Sequence, residues 1–140
     1  MIKTYAVDAN VMLRYLLRDN EEQWAKADAL MHEMENGRLQ LLCDPVQLAE
    51  IVWVLKSVYG LQREQIANSL VSIVSASSFH VPDKDRYVHA LNLYGTSVRD
   101  FGDACACAAA LEECEGRLLS FDRKLSSVEG ISRLEGLRDE

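Results

Sequence analysis

The fold class follows from residues 3–19, which read KTYAVDANVMLRYLLRD. Residues 3–7 predict a short strand that stops at Asp8, and apolar residues then recur at helical spacing from 11 to 17. A strand that runs directly into an amphipathic helix is typical of the strand–helix–strand units from which parallel sheets are built. This opening therefore predicts an α/β fold.

The same alternation continues along the rest of the chain. Further strands are predicted at 39–43, 79–81, 118–121 and 131–134, and further helices at 21–36, 45–59, 62–75, 83–94 and 102–115. With 140 residues and no linker or repeat, the chain predicts one domain over 1–140. We expect a three-layer α/β/α domain around a mostly parallel sheet of four or five strands.

Composition excludes several classes of protein. Hydrophobic residues make up 49% and charged residues 26%, which is typical of a soluble globular domain. The apolar runs are too short to span a bilayer, and the N-terminus lacks the apolar core of a secretory signal. We therefore expect a cytoplasmic protein that does not contact a membrane. Its four cysteines include no CxxC pair, which favours small buried hydrophobes over a zinc site.

The charge balance restricts how the chain would meet nucleic acid. A net charge of −7 argues against a protein that holds nucleic acid by its global charge. It remains compatible with a nuclease whose clustered carboxylates are neutralised by a divalent metal. Asp8 and Asp122 each follow a predicted strand, and the carboxyl ends of parallel strands line the ligand crevice of an open sheet. Both residues are also ordinary candidates for turns or helix caps.

Two further acidic positions stand out on predicted helices. Glu50 is flanked at helical spacing by apolar side chains such as Trp53 and Val54, where a carboxylate is costly to bury unless it is paired or bound to metal. It is equally compatible with a boundary position that reaches solvent. Asp100 and Asp103 share one helix face, where like charges repel unless a cation lies between them. A capping pair at a helix N-terminus is the alternative.

The sequence lacks the motifs that several other reaction mechanisms require. The chain contains no phosphate-binding loop, no GxGxxG and no HExxH motif. The three histidines stand apart on predicted surfaces, which favours structural roles. A phosphatase with Asp8 as nucleophile would need an acid at position 10, which is Asn10. Hard oxygen ligands such as these carboxylates suit Mg²⁺ or Mn²⁺.

These motifs resemble one known family. The segment VDANVMLRYLLRD at 7–19 resembles the opening of PIN-domain ribonucleases, and more narrowly of VapC-type toxins from toxin–antitoxin pairs. Three later segments match in the same order, LAEIVWVL at 48–55, DFGDA at 100–104 and SFDRKL at 120–125. Each motif is weak alone, but the set covers nearly the whole chain.

The resemblance implies a metal-dependent active site. Its catalytic carboxylates would be Asp8, Glu50, Asp103 and Asp122, with Asp100 as an additional metal ligand. Together they would hold one or two Mg²⁺ or Mn²⁺ ions. A metal-activated water would then attack the phosphorus of an RNA phosphodiester.

Several neighbours would support this site. Asn10 would orient Asp8 or a bound water, and Ser120 keeps a hydroxyl beside Asp122. Ala9 departs from the Thr that is common in the family and removes one hydroxyl. Basic residues in or near the motifs are candidates for contacts with the RNA backbone, with ordinary solvated charge as the alternative. They are Arg14, Arg18, Arg99, Arg123 and Lys124.

Partners follow from the resemblance as well. It implies the toxin of a toxin–antitoxin pair, a cognate antitoxin, a homodimer and a transfer or ribosomal RNA substrate. Apolar stripes on 46–59 and 62–76 predict a dimer or antitoxin surface, with core burial as the competing interpretation. A non-catalytic PIN-like scaffold is the alternative function, and it predicts that at least one acid is missing, whereas all four are present.

Overall fold

The computed structural model describes residues 1–137, so the last three residues of the predicted domain lie outside the described range. Its strands are β1 Lys3–Ala6, β2 Leu39–Leu42, β3 Phe79–His80, β4 Arg117–Leu119 and β5 Ser132–Leu134. Its α-helices are α1 Ala9–Leu17, α2 Glu21–Glu35, α3 Pro45–Ser57, α4 Arg63–Val74, α5 Lys84–Thr96 and α6 Phe101–Glu113. A 3-10 helix, Arg123–Ser127, connects β4 to β5. Helices and strands alternate as the sequence predicts, and the α/β fold class is confirmed.

The strands form two sheets rather than the one sheet of four or five strands that the sequence predicts. β1, β2 and β3 form one parallel sheet in that order, and β4 pairs in parallel with β5 in a second, two-stranded sheet. β1 is therefore an edge strand, and all four of its residues are exposed. β4 is three residues long and pairs along its whole length with β5, so the ends of β1 and β4 belong to separate sheets.

Local sequence chemistry explains most element boundaries. α2 begins after Asn20, whose side chain accepts a hydrogen bond from the backbone N–H of Gln23 at 3.0 Å. It ends at Asn36 and Gly37, where glycine takes a positive φ of 73°. Asp44 caps α3, and Pro45 occupies its first turn. These predicted boundaries are confirmed, whereas β4 lies at 117–119 rather than at 118–121.

The core lies between the helices and the three-stranded sheet. α1 packs on α2 and α3, and α5 packs on α4 and α6. Within 62–76 the apolar residues Ile66, Leu70 and Val74 are buried, so core burial is the correct interpretation of that stripe. On α3 the stripe divides, because Leu48, Ile51, Val52 and Leu55 are buried while Val46 and Trp53 are exposed.

The cysteines only partly match the expectation of buried hydrophobes. Cys43 and Cys107 are buried and Cys105 is half-buried, but Cys114 is exposed at the C-terminal end of α6, and all four are free. Burial raises the pKa of the Cys43 and Cys105 thiols to about 11, with nearby carboxylates adding to the effect. Within residues 1–137 no helix has both the length and the apolar character needed to cross a membrane.

Candidate active site

Helix starts position three of the predicted acids. Asp8 caps α1, with Oδ1 accepting from the backbone N–H of Asn10 at 2.7 Å. Asp100 caps α6, and its Oδ2 accepts from the N–H of Asp103 at 2.9 Å. Asp122 caps the 3-10 helix, with Oδ1 accepting from Lys124 N–H at 3.0 Å. The capping role is thus observed, and it leaves the second oxygen of each carboxylate available to a ligand.

Asp103 is the acid whose ionisation is most affected by its surroundings. It lies in the first turn of α6 and is half-buried. Its pKa is raised, first by burial and then by the negative charges of Asp100 and Asp122. The charges of Asp100 and Asp122 therefore each act on Asp103. A cation bound between them would relieve the repulsion.

Glu50 lies on α3 and shares a cavity with Asp100. Its side chain is exposed and has no hydrogen-bond or ion-pair partner among residues 1–137. It lines an open cavity of about 410 Å³ together with Asp100. Of the two alternatives for Glu50, the structure shows the boundary position that reaches solvent. The carboxylate is therefore free.

Asp8 lies in a different cavity. This one has a volume of about 490 Å³ and is also lined by Asp44 and Gln47. Gln47 belongs to α3, one turn before Glu50, and its Oε1 accepts a hydrogen bond from the backbone N–H of Ala9 at 2.8 Å. α3 therefore borders both cavities, with Gln47 on the side of Asp8 and Glu50 on the side of Asp100.

The predicted carboxylates are consequently not gathered into one ligand shell. No group of three or more His, Cys, Asp or Glu side chains in the described part of the chain is arranged to hold a metal ion. Asp8 and Asp122 follow strands that belong to the two separate sheets. The carboxylate oxygens are suitable ligands for a divalent cation, and a cation would reduce the repulsion between their charges. The side chains of residues 1–137 nevertheless form no coordination shell.

The two supporting residues have different surroundings. Ser120 Oγ accepts a hydrogen bond from the backbone N–H of Asp122 at 3.0 Å, which holds the turn that carries this acid. Asn10 contributes its backbone N–H to Asp8 and also lines a separate cavity of about 390 Å³ with Arg14. Ser120 thus stabilises its acid through the side chain, and Asn10 through the main chain.

The basic candidates fall into two groups. Arg14 forms an ion pair with Asp19 at 3.0 Å. Arg18 pairs with Glu21 at 3.1 Å, and its guanidinium stacks 3.7 Å from the ring centre of Trp24. The other three candidates have no ion pair or side-chain hydrogen bond within the described range. They are Arg99, Arg123 and Lys124.

Sequence reasoning missed two residues that border the site. Asp44 follows β2 as Asp8 follows β1, and its Oδ1 accepts from the N–H of Val46 at 2.8 Å. The strand-end rule applied to Asp8 would have found it. Gln47 gave no signal, because a glutamine in the first turns of a helix is ordinary in any single sequence.

The comparisons with known proteins agree with this fold. The PIN domain family matches residues 5–131, and the chain belongs to that family. A search of curated proteins found no match. PIN domains are typically nucleases that use divalent metal ions, so the family indicates a nuclease that acts on nucleic acid.

Proposed function

We propose that this protein is a divalent-metal-dependent endoribonuclease and the toxin of a toxin–antitoxin pair. The observation that supports the proposal most strongly is the match of residues 5–131 to the PIN domain family, together with the close placement of Asp100 and Asp103 at the start of α6. A cation bound near these carboxylates would offset the repulsion between their charges. The proposal implies a cognate antitoxin, a homodimer and a structured RNA as partners.

The proposed site residues would act mainly as metal ligands. The metal ligands would be Asp8, Glu50, Asp100, Asp103 and Asp122. When bound, Mg²⁺ or Mn²⁺ supplies charge neutralisation for the phosphate and lowers the pKa of a water molecule.

The chain's own residues set the orientation of the carboxylates. The capping hydrogen bonds of Asp100 and Asp122 hold one oxygen of each and leave the other available to a ligand. Ser120 fixes the turn before Asp122. Glu50, exposed and unpaired within the described range, is free to bind the metal from α3. Arg99 and Arg123 are available for phosphate oxygens of the substrate.

The test is RNA cleavage by purified protein with Mg²⁺ or Mn²⁺ and with chelator. We expect cleavage only with metal, and a loss of at least about 100-fold in Asp103→Asn and Asp8→Asn because each removes a charged ligand. Asp85→Asn is the matched control, since Asp85 lines a separate cavity with Arg86 and Glu112 that contains none of the site acids. Equal cleavage by wild type and Asp103→Asn would overturn the site. Growth arrest on expression in bacteria, absent with Asp103→Asn, would support the toxin role.

One observation favours the alternative of a non-catalytic PIN-like scaffold. Residues 1–137 contain no preformed group of three possible metal ligands. A scaffold predicts that RNA binds with equal affinity in wild type and Asp103→Asn, and that neither protein cleaves it with any metal. The same cleavage and binding measurements therefore decide between the two functions.

A further inference from the structure

The cavity that holds Glu50 and Asp100 has an aromatic wall that the proposed chemistry does not use. Trp53 lies on its rim with 59% of its surface exposed. Tyr94 and Phe101 form an edge-to-face pair beneath, with ring centres 5.9 Å apart, and both are buried. The cavity of about 410 Å³ is wide enough for a planar heterocycle.

The exposure of Trp53 has no explanation within the fold. α3 packs into the core through Leu48, Ile51, Val52 and Leu55. Trp53 lies on the opposite side, three residues after Glu50 and therefore on the same face as this candidate catalytic acid. A large apolar side chain left in water beside charged groups indicates a binding surface.

The charges around this indole indicate which partner it meets. Lys56 and Arg99 both line the cavity, and neither has an ion pair or side-chain hydrogen bond in the part of the chain that is described. The same cavity is also lined by the carboxylates of Glu50 and Asp100, which the proposed metal would neutralise, so the two unpaired cations beside one exposed aromatic ring favour a polyanion. An aromatic stacking platform flanked by basic residues is the common arrangement for single-stranded nucleic acid.

We propose that Trp53 stacks on a base of single-stranded RNA while Lys56 and Arg99 bind the phosphates on either side. The bound strand would then pass over Glu50 and Asp100, which places its backbone at the candidate catalytic carboxylates. The choice of RNA rests on the proposed function, but binding at this subsite requires no cleavage. Trp53 is thus a substrate-positioning residue.

Tryptophan fluorescence tests the proposal directly, because the chain has two tryptophans, Trp24 and Trp53. Trp24→Phe leaves Trp53 as the sole indole, and Trp53→Phe leaves Trp24, which already stacks with Arg18. The probe is a short single-stranded RNA of mixed sequence, added in chelator so that it is not cleaved. We expect saturable quenching in Trp24→Phe and none in Trp53→Phe. Equal quenching in both variants would overturn the proposal.

Affinity measurements separate stacking from a merely structural role. We expect Trp53→Leu to weaken RNA binding by about 5- to 150-fold, the range for loss of one base–aromatic stack, and Trp53→Tyr to recover part of it. In cleavage assays Trp53→Leu should raise KM far more than it lowers kcat. Unchanged affinity in Trp53→Leu, or equally tight binding of a blunt RNA duplex, would contradict the subsite.

Two other situations give results that differ from those expected for an RNA-binding nuclease. One is a second copy of the chain on this face, and the other is a scaffold without nuclease activity. If a second copy of the chain covers this face, Trp53→Leu will convert a dimer to a monomer in light scattering and RNA will not quench Trp53. That result would overturn the proposal. If the chain is a scaffold, quenching will be intact while no metal yields cleavage, which would support the subsite and reject the nuclease.

Discussion

Gln47 accepts a hydrogen bond from the backbone N–H of Ala9 through Oε1, at 2.8 Å. The contact joins the first turn of α3 to the first turn of α1, immediately after Asp8. Because Glu50 is three residues further along α3, one helix determines the positions of both Asp8 and Glu50. Ala9, which is only 4% exposed, thus contributes to the site through its main chain.

Replacing Gln47 by Ala should therefore destabilise the site more than the fold. The substitution leaves the N–H of Ala9 without its acceptor, which costs about 1 kcal/mol of unfolding free energy. We expect the cleavage rate to fall by about tenfold or more, because a misplaced carboxylate has a steep effect on catalysis. Urea unfolding and cleavage kinetics measure the two effects.

Gln40→Ala is the matched control for this change. Gln40 accepts a hydrogen bond from the Thr4 hydroxyl on the exposed side of the sheet, and its loss should alter the unfolding free energy by less than about 0.5 kcal/mol. Cleavage should be unchanged. A Gln47→Ala protein with wild-type kinetics would show that the contact does not position Asp8.

Asp103→Asn should separate metal binding from folding. In chelator the charged form of Asp103 is disfavoured first by burial and then by the charges of Asp100 and Asp122, which together raise its pKa. A neutral amide at this position should therefore raise the unfolding temperature, by about 1–3 °C since solvent screens these effects. Added Mn²⁺ should raise the unfolding temperature of wild type by binding the folded state, and that of Asp103→Asn much less. Differential scanning fluorimetry measures both shifts. A lower midpoint for Asp103→Asn in chelator would contradict the proposed repulsion.

The sequence predicts the order of elements well because their signals are local. Asp44 followed by proline at the start of α3, and Asn36 with Gly37 at the end of α2, act through hydrogen bonds and backbone angles within a few residues. The same local chemistry explains the caps at Asp8, Asp100 and Asp122. Such features can be inferred without knowledge of the tertiary structure.

Contacts between distant segments could not be predicted in this way. The separation of β4 and β5 from the three-stranded sheet depends on which strand edges meet, and the apolar pattern of a strand does not encode this. The contact of Gln47 with Ala9 spans 38 residues and leaves no pattern in either segment. The expectation that Asp8 and Asp122 share one crevice depended on such long-range pairing, and it stays a prediction.

Thiol labelling should distinguish the four cysteines. Cys114 is exposed and should react fastest with an alkylating reagent at pH 8. Burial raises the pKa of Cys105 to about 11, so only about one thiol in a thousand is ionised at that pH. Because the thiolate is the reactive form, Cys105 labelling should rise about tenfold per pH unit up to its pKa. Mass spectrometry after brief labelling identifies the modified residues.

Cys114→Ser is the control for the labelling experiment. It should remove the fast phase and leave the slow phase unchanged, because Cys43 and Cys107 are buried. Rapid modification of Cys43 in the native protein at pH 8 would contradict its burial and its raised thiol pKa.

The salt dependence of RNA binding should distinguish which of the five basic residues named from the motifs contact RNA. Arg99 is unpaired within the described residues, so Arg99→Ala should weaken binding and reduce the slope of log affinity against log salt by about one unit. Arg14 already pairs with Asp19, which also accepts a hydrogen bond from the Tyr59 hydroxyl at 2.9 Å. Arg14→Ala should therefore leave the salt slope unchanged and lower stability instead. Fluorescence anisotropy of a labelled RNA at several salt concentrations measures the slopes, and a reduced slope in Arg14→Ala alone would place the RNA on α1 rather than beside Trp53.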